Sequence, residues 1–408
     1  MAIGRADQNL LKRLNSALIL NRLLAESPQS RAALAQVTGL NRSTISSLVS
    51  DLVAQQLIRE VGFEPASSRG RPGMLLELNP AAGCVVSIEI NVDYLWVVLT
   101  DFMAHPLWSH RIDVPEGTPH SRFLTLAEDL ICRALEAGKA HQLKPLGIGL
   151  AVPGIVDTHR GALVYAPNLQ WRSVPFRDLW GHKFGVPLYI ENDGNASALG
   201  EYYFGVAKGC QDFLFLGTGI GLAGGMMLNG ELYRGAGGYA GEIGHILVEG
   251  GTELCGCGQR GCWETLVGPR AVIRSIVRAL DDGMPSLIPQ LVGDQLDQIT
   301  MQVVVTAADR GDQLARSTLA SVAHHLGKGV ANLINIFNPA MIVLGGSLTL
   351  AGDYLLPTIS HIIATEAMPE PARMVTLALS SQGMSPCIKG AVALVIDQIV
   401  REPAISYT

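Results

Sequence analysis

The spacing of hydrophobic positions changes along this chain, and the changes mark its elements. Leu11, Leu14 and Leu18 recur at helical spacing in the segment Asn9–Ala25, which stops before Glu26-Ser27-Pro28. Ser30 suits an N-cap for a short helix over Arg31–Thr38, closed by Gly39, which takes a left-handed conformation at little cost. Asn41 then caps a third helix. Its Ile45, Leu48, Val49 and Leu52 fall at i, i+3, i+4 and i+7, a single stripe to be buried. Helix, tight glycine-containing turn and helix make the helix-turn-helix pattern. Leu57–Gly62 and Met74–Asn79 follow as the two short strands of a β-wing.

From Ala81 the texture becomes short apolar strands punctuated by glycine. Cys84–Ile90 and Leu95–Asp101 read as a hairpin, followed by a helix over Ser121–Ala140. Further strands are expected at Gly147–Val152, Pro187–Ile190, Met341–Leu344 and Met374–Leu379, with a long glycine-rich run at Asp212–Leu228. Helices are expected over Asn195–Phe204, Pro269–Leu280 and Leu314–Ile336. Strands alternating with helices imply α/β layers whose sheet ends open onto a cleft. At 408 residues the chain is long enough for two or three domains.

Charge separates the two textures. Residues 1–75 hold nine Lys/Arg against five Asp/Glu, and the remainder holds 21 against 31. A basic head on an acidic body points to a polyanion partner for the head. Nothing near the start has the apolar core of a signal peptide, and the longest apolar runs are far too short to span a bilayer. The expectation is a cytoplasmic protein without membrane insertion. Its seven cysteines then read as thiols or metal ligands rather than disulfides.

The third helix shows what the head could touch. Arg42, Ser43, Thr44, Ser46 and Ser47 cluster at its N-terminal end, the end a recognition helix pushes into the major groove. An ordinary three-helix cap with a polar surface would look similar from this helix alone. Between the wing strands, however, lies Ser67–Gly73, SSRGRPG. Arg69 and Arg71, with Pro72 fixing the backbone, form a compact cationic tip suited to a narrow A·T minor groove. Together these features favour operator DNA as a partner.

Three cysteines fall within eight residues in Gly241–Leu266, GEIGHILVEGGTELCGCGQRGCWETL. Cys255, Cys257 and Cys262 with His245 supply three thiolates and an imidazole, a complete tetrahedral set for Zn²⁺. With all four positions taken by protein, no place remains for a catalytic water, and the ion's role would be structural. A redox pair is the alternative, although C-x-C is not the C-x-x-C of thiol oxidoreductases. The scattered Cys84, Cys132, Cys210 and Cys387 read as small buried apolar residues.

The motifs FLGTGIGLAGG, GELYRGAGGYAGEIGH, CGCGQRGCWET, ENDGNASALGE and AVPGIVD resemble the ROK family (repressors, open reading frames and sugar kinases), and with the head the similarity spans essentially the whole chain. The resemblance implies a two-lobed, ribonuclease H-like (actin/hexokinase-type) α/β body with a sugar between the lobes, preceded by a winged helix-turn-helix domain. The expected domains are 1–79 for the head, 80–190 plus 384–408 for the first lobe, and 191–383 for the second. The resemblance also implies one structural zinc per chain and sugar hydroxyls held by Asn192, Asp193, Glu242, His245 and Glu264. Trp171 lies where family members contact their sugar, with core packing the other reading, and Gly345-Gly346 corresponds to the family's adenosine-side loop.

Two function classes remain, repressor and sugar kinase with an appended head. The kinases of this family use Asp-x-Gly-x-Thr after the first strand, where glycine lets backbone N–H groups approach phosphate. Here the segment is Glu89-Ile90-Asn91-Val92-Asp93. Asn91 puts a side chain where the backbone must approach, and Asp93 would repel a phosphate by roughly 4 kcal/mol at ~4 Å and an effective dielectric of ~20. Asp193, the family's general-base position, survives, yet it suits plain sugar binding equally. The expectation is therefore a non-enzymatic, sugar-responsive repressor of carbohydrate-utilisation genes with Asp193 as a vestigial base. Its inducer would be xylose, glucose or a related sugar, and its state a homodimer or tetramer, as paired half-sites require. Some family members answer to a membrane transporter component instead.

Overall fold

In the computed structural model, residues 8–64, 73–115, 117–219, 221–248, 251–381 and 385–401 are described. The head is built from α1 (Gln8–Ala25), β1 (Gln29–Ser30), α2 (Arg31–Thr38), α3 (Arg42–Ala54), β2 (Ile58–Phe63) and β3 (Met74–Leu78). Ser30 accepts from the Ala33 amide, Gly39 closes α2 at φ 72°, and Asn41 accepts from the Thr44 amide at 2.8 Å. Both caps therefore sit where the sequence puts them. Ile45, Leu48, Val49 and Leu52 are buried. The wing is a β1-β3-β2 antiparallel sheet.

The first helix forms where the spacing predicts it, over Gln8–Ala25, but the leucines that set that spacing are not the face it covers. Leu11, Leu14 and Leu18 are exposed, and Ile19, Leu20, Leu23 and Leu24 are the residues that α1 buries. Two apolar stripes share this helix, and only the one in its C-terminal half meets the rest of the chain.

The first lobe runs through β4 (Cys84–Ile90), β5 (Tyr94–Asp101), β6 (Pro106–Asp113), α4 (His120–Ala140) and β7 (Pro145–Val152). Then come a small antiparallel sheet of β8 (Ile155–Asp157), β9 (Ala162–Ala166) and β10 (Trp171–Val174), the short α5 (His182–Phe184), and β11 (Leu188–Asn192). The main sheet has the order β11-β7-β4-β5-β6. Its strands β4, β7 and β11 run parallel, and β5 pairs antiparallel with both β4 and β6. Because β11 runs to Asn192, this sheet extends two residues past position 190.

The second lobe repeats the plan. It contains α6 (Asp193–Phe204), β12 (Phe213–Thr218), β13 (Leu222–Leu228), β14 (Glu231–Leu232), α7 (Glu264–Val267), α8 (Pro269–Asp281), α9 (Ile288–Leu291), α10 (Met301–Asp309) and α11 (Gln313–Phe337). It ends with β15 (Met341–Gly346), α12 (Gly352–Glu366), α13 (Pro369–Met374) and β16 (Thr376–Leu379). The expected strand at Met374 thus starts two residues later, after a short helix opened by Pro369. The sheet order β14-β13-β12-β15-β16 mirrors the first. In both sheets, an antiparallel hairpin begins the lobe, and its turn points into the cleft. The last helix, α14 (Pro386–Arg401), packs on α6 and on the first sheet.

Glycine decides how closely those two helices meet. A β-carbon on Gly200 would run into the Pro386 carbonyl, and one on Gly390 into the Ala196 carbonyl. Close backbone approach of this kind is available only to glycine. A large apolar cluster packs α8, α10, α11 and α12 against the second sheet. Another joins α1 and α3 of the head to α6, β12 and α14 of the body.

Candidate functional site

A cavity of about 220 Å³ opens between the lobes. Its walls include all five sugar-contact positions implied by resemblance: Asn192, Asp193, Glu242, His245 and Glu264. Each arrives by a different local device. Asn192 ends β11 and caps α6, its Oδ1 accepting from Gly194 N (2.8 Å) and Asn195 N (3.2 Å) while its Nδ2 donates to the Gly154 carbonyl at 3.0 Å. Its polar atoms are thus engaged by the chain itself. Asp193 is the first residue of α6. Glu242 precedes a single 3-10 turn, Ile243–His245, that ends at His245, with His245 Nε2 3.8 Å from Glu242 Oε2. Glu264 begins α7 and accepts a 3.4 Å bond from Leu222 N.

The cavity concentrates carboxyls. Burial, more than anything else, pushes the Asp193 carboxyl above its ordinary range, against the opposing pull of the Gly194 amide. Glu242 is also pushed up by burial, opposed by His245 and reinforced by the charges of Asp193 and Glu264. Just behind them Glu89 is buried, with Tyr94 Oη donating to its Oε1 at 2.5 Å. Burial raises this group too, and the Asp193 charge adds to the effect. Carboxyl groups arranged round a small cavity suit a ring of hydroxyls, which need several acceptors at once.

The cluster beside the cavity meets the requirements of a metal site. His245, Cys255, Cys257 and Cys262 each offer a ligand atom, and these atoms lie within 4.8 Å of one another. Cys257 Sγ and Cys262 Sγ are 3.6 Å apart, and His245 Nδ1 is 3.5 Å from Cys255 Sγ. Separations of this size suit a tetrahedral ion with thiolate bonds of about 2.3 Å. Burial pushes the Cys255 and Cys262 thiols upward, so a thiolate there calls for a cation beside it. Cys255 Sγ also reaches Glu264 Oε1 at 2.8 Å, linking the cluster to the cavity wall.

Sequence reasoning missed part of the wall. Tyr165, Asn168 and Ile155, from or beside the small β8–β10 sheet, line the cavity, as do Asn91 and Val92 from the first hairpin turn. The signal for Asn168 was close by, in the segment around Trp171. Trp171 itself is in strand β10 rather than in a loop, is buried, and packs edge-on against Phe123 at 5.2 Å. It is a core residue. Asp93 is exposed and does not line the cavity, so its charge is not aimed at a ligand there, whereas Asn91 does line it. Gly346, at φ 64°, serves the turn after β15, where a β-carbon would strike the Thr218 carbonyl. His324 and His325 sit on α11 away from the cavity, the His325 carbonyl accepting from Trp263 Nε1. Of the scattered cysteines, Cys84 and Cys387 are buried and Cys210 is half-buried, but Cys132 is exposed.

On the head, Arg42, Ser43, Ser46 and Ser47 are exposed and Thr44 is partly so. Ser43 Oγ donates to Asn41 Oδ1 and Ser46 Oγ to the Arg42 carbonyl, both within the helix end. Among the described residues Arg42 makes no ion pair, whereas Arg31 and Arg59 are tied to Glu60 and Glu77. Arg69 and Arg71 lie outside the described residues. No helix among the described residues is long and apolar enough to cross a membrane.

Comparison with known proteins agrees with both halves. The ROK family model matches residues 85–398. The chain is 31% identical over 397 residues to the xylose repressor of Caldicellulosiruptor bescii, covering 97% of this chain and 99% of that one. Among solved structures, a ROK family transcriptional regulator, homologous to the Escherichia coli MLC protein, superposes with a TM-score of 0.80 at 26% identity, over 97% of this chain and 98% of the other. A ROK family glucokinase from Streptomyces griseus, in complex with glucose and AMPPNP, gives 0.67 at 28% identity over 76% of this chain and 98% of its own.

Proposed function

The chain belongs to the ROK family, and on that premise we propose that it is a sugar-responsive, DNA-binding transcriptional repressor of carbohydrate-utilisation genes. The observation that carries this is the pairing of an exposed, unpaired recognition-helix end with a cavity walled by Asp193, Glu242, His245 and Glu264. Full-length likeness to repressors supports it, since the glucokinase matches only the body.

The sugar is the inducer. It binds between the lobes and favours an arrangement that misplaces the two heads of a dimer relative to their half-sites. Such a shift requires different affinity for the two arrangements. Xylose, glucose or a related sugar fits the cavity's chemistry. The body is not a kinase in this reading, because Asn91, which lines the cavity, stands where a phosphate loop needs bare backbone.

The ion held by His245, Cys255, Cys257 and Cys262 is zinc, one per chain, with a structural role. It pins a glycine-rich loop that carries Glu242 at one end and Glu264 at the other. The working division is a head over 1–79, a first lobe over 80–190 with 384–408, and a second lobe over 191–383. Arg69 and Arg71 complete the DNA surface, and the site of action is the cytoplasm.

A gel-shift on the chain's own upstream DNA, titrated with xylose, glucose and amino sugars, tests the reading. Retention without sugar and release by one of them is expected. No retention under any condition, together with ATP-dependent sugar phosphorylation, would make the chain a kinase.

A further inference from the structure

An inducer bound between the lobes must influence a head none of whose described residues lines the cavity. One helix connects the two places. Asp193, at the start of α6, lines the sugar cavity. Twelve residues make up α6, a length of about 16–18 Å, and Tyr202 and Tyr203 near its far end line a second cavity of about 330 Å³. That second cavity is the seam between head and body, with Asn21 and Leu24 contributed by α1 and Asp397 and Arg401 by α14.

The helix is built to move as a unit. Gly194 to Glu201, and Tyr203, are buried. Gly194 lies against the Gly224 carbonyl of the second sheet, and Gly200 against the Pro386 carbonyl of α14, both too closely for any side chain. Elements packed backbone to backbone transmit displacement because they cannot deform to absorb it. At the far end the contact becomes polar. Tyr203 Oη donates to Asp397 Oδ1 at 2.5 Å, and Arg401 Nε donates to Asp397 Oδ2 at 2.7 Å. The last turn of α14 is thereby tied to α6. On its apolar side, Val395 and Val400 share one buried cluster with Ile19, Leu20, Leu23 and Leu24 of α1.

We propose that α6 carries the inducer signal and that Tyr203 is the positioning residue that delivers it to the head, through Asp397 and α14. This rests on the sugar-responsive reading above. The seam cavity gives the end of α14 room to shift without opening the apolar contact to α1. Asp397 is the pivot, since it is held both by α6 and by Arg401 of its own helix.

The test uses the full chain, its upstream DNA, and D-xylose, glucose and N-acetylglucosamine as probes. DNA affinity is measured with and without saturating sugar, and sugar affinity by calorimetry without DNA. Wild type should lose DNA affinity with one sugar by a factor within the usual range of about 5 to 150. Tyr203→Phe and Asp397→Asn should each reduce that factor at least ~5-fold, with sugar-free DNA affinity and sugar affinity within about twofold of wild type. A factor unchanged in both variants overturns the inference and leaves the repressor reading standing. Loss of sugar-free DNA binding in both would make the pair a structural support and also overturns it. A wild type that holds DNA but ignores all three sugars overturns the reading and the inference together.

Discussion

The amide nitrogen of Asn91 stands 3.6 Å from the point where a β-carbon on Gly219 would lie, across the cleft between the lobes. The two residues occupy matching places, each in the turn of the hairpin that opens its sheet. Asn91 Oδ1 is already committed to the Val92 amide at 2.7 Å. Asn91 lines the cavity, and its side-chain amide also interacts with Tyr94.

Asn91→Ala is expected to weaken sugar binding about fivefold, the worth of one hydrogen bond of about 1 kcal/mol. Calorimetry measures this directly. Neither wild type nor variant should phosphorylate sugar in a coupled assay with Mg·ATP, and turnover by wild type would refute the blocked-loop argument.

Glu264→Gln should leave DNA retention intact and blunt the response to sugar. A hydrogen bond to a charged acceptor contributes about 1.5–3 kcal/mol, so the inducer concentration for half-release should rise by about 10- to 150-fold. Gel-shift titration reads it. An unchanged titration would remove Glu264 from the pocket.

Much of this was visible in the residue order, for physical reasons that can be named. Caps and turns are local, so Ser30, Gly39 and Asn41 announced the head's helices and the structure places them at those helix ends. The metal cluster spans eighteen residues, with glycines that permit a tight fold, and the structure brings its four ligands together. What residue order could not carry was non-local. Leu11, Leu14 and Leu18 have impeccable helical spacing, yet which of two apolar stripes is covered depends on where α14 and α3 arrive. Asp93 lies next to the cavity-lining Val92, and only the turn's geometry turns its charge outward. Trp171 and Asn168 are three residues apart, and strand pairing alone sends one to the core and the other to the cavity.

Metal removal should silence the sugar response before it affects DNA binding. The loop between Gly241 and Leu266 has little apolar core of its own, and Leu247 and Leu254 within it are exposed. Purified protein should carry about one zinc per chain by elemental analysis. Chelation should lower the thermal midpoint and abolish release by sugar, while the isolated helix-turn-helix contacts persist. Zinc well below that stoichiometry, in protein that still responds to sugar, would defeat the assignment.

Stability should fall as pH rises above the ordinary carboxylate range. Glu89 and Asp193 are raised chiefly by burial, so the folded chain holds their protons where the unfolded chain, with a carboxylate pKa of about 4, has released them. In that window the folded state binds more protons, and each unit of pH costs stability until the raised values are passed. Glu89→Gln keeps an acceptor for Tyr94 Oη and removes the charge that must be desolvated. It is expected to be more stable than wild type at neutral pH and to flatten the curve. Thermal midpoints between pH 5 and 8 check the slope, and a wild type that gains stability with pH there would contradict the assignment.

The DNA surface makes the sharpest separation of modules. Arg42 is exposed at the start of α3 with no ion pair among the described residues, so its charge is free for phosphate or a base edge. Arg42→Ala should weaken operator binding by about 1–3 kcal/mol if it reads guanine, with relaxed sequence preference at one position. If it meets phosphate instead, the loss should be uniform across sequences and the salt slope should fall by about one. Arg71→Ala, in the Arg-Gly-Arg-Pro segment, should behave as a minor-groove contact and lose more affinity on A·T-rich flanks than on G·C-rich ones. Arg42 does not line the cavity, and calorimetric sugar affinity of both variants should match wild type. Loss of sugar binding in either variant would mean that the two modules are not independent, and unchanged DNA affinity in both would remove the head from the operator.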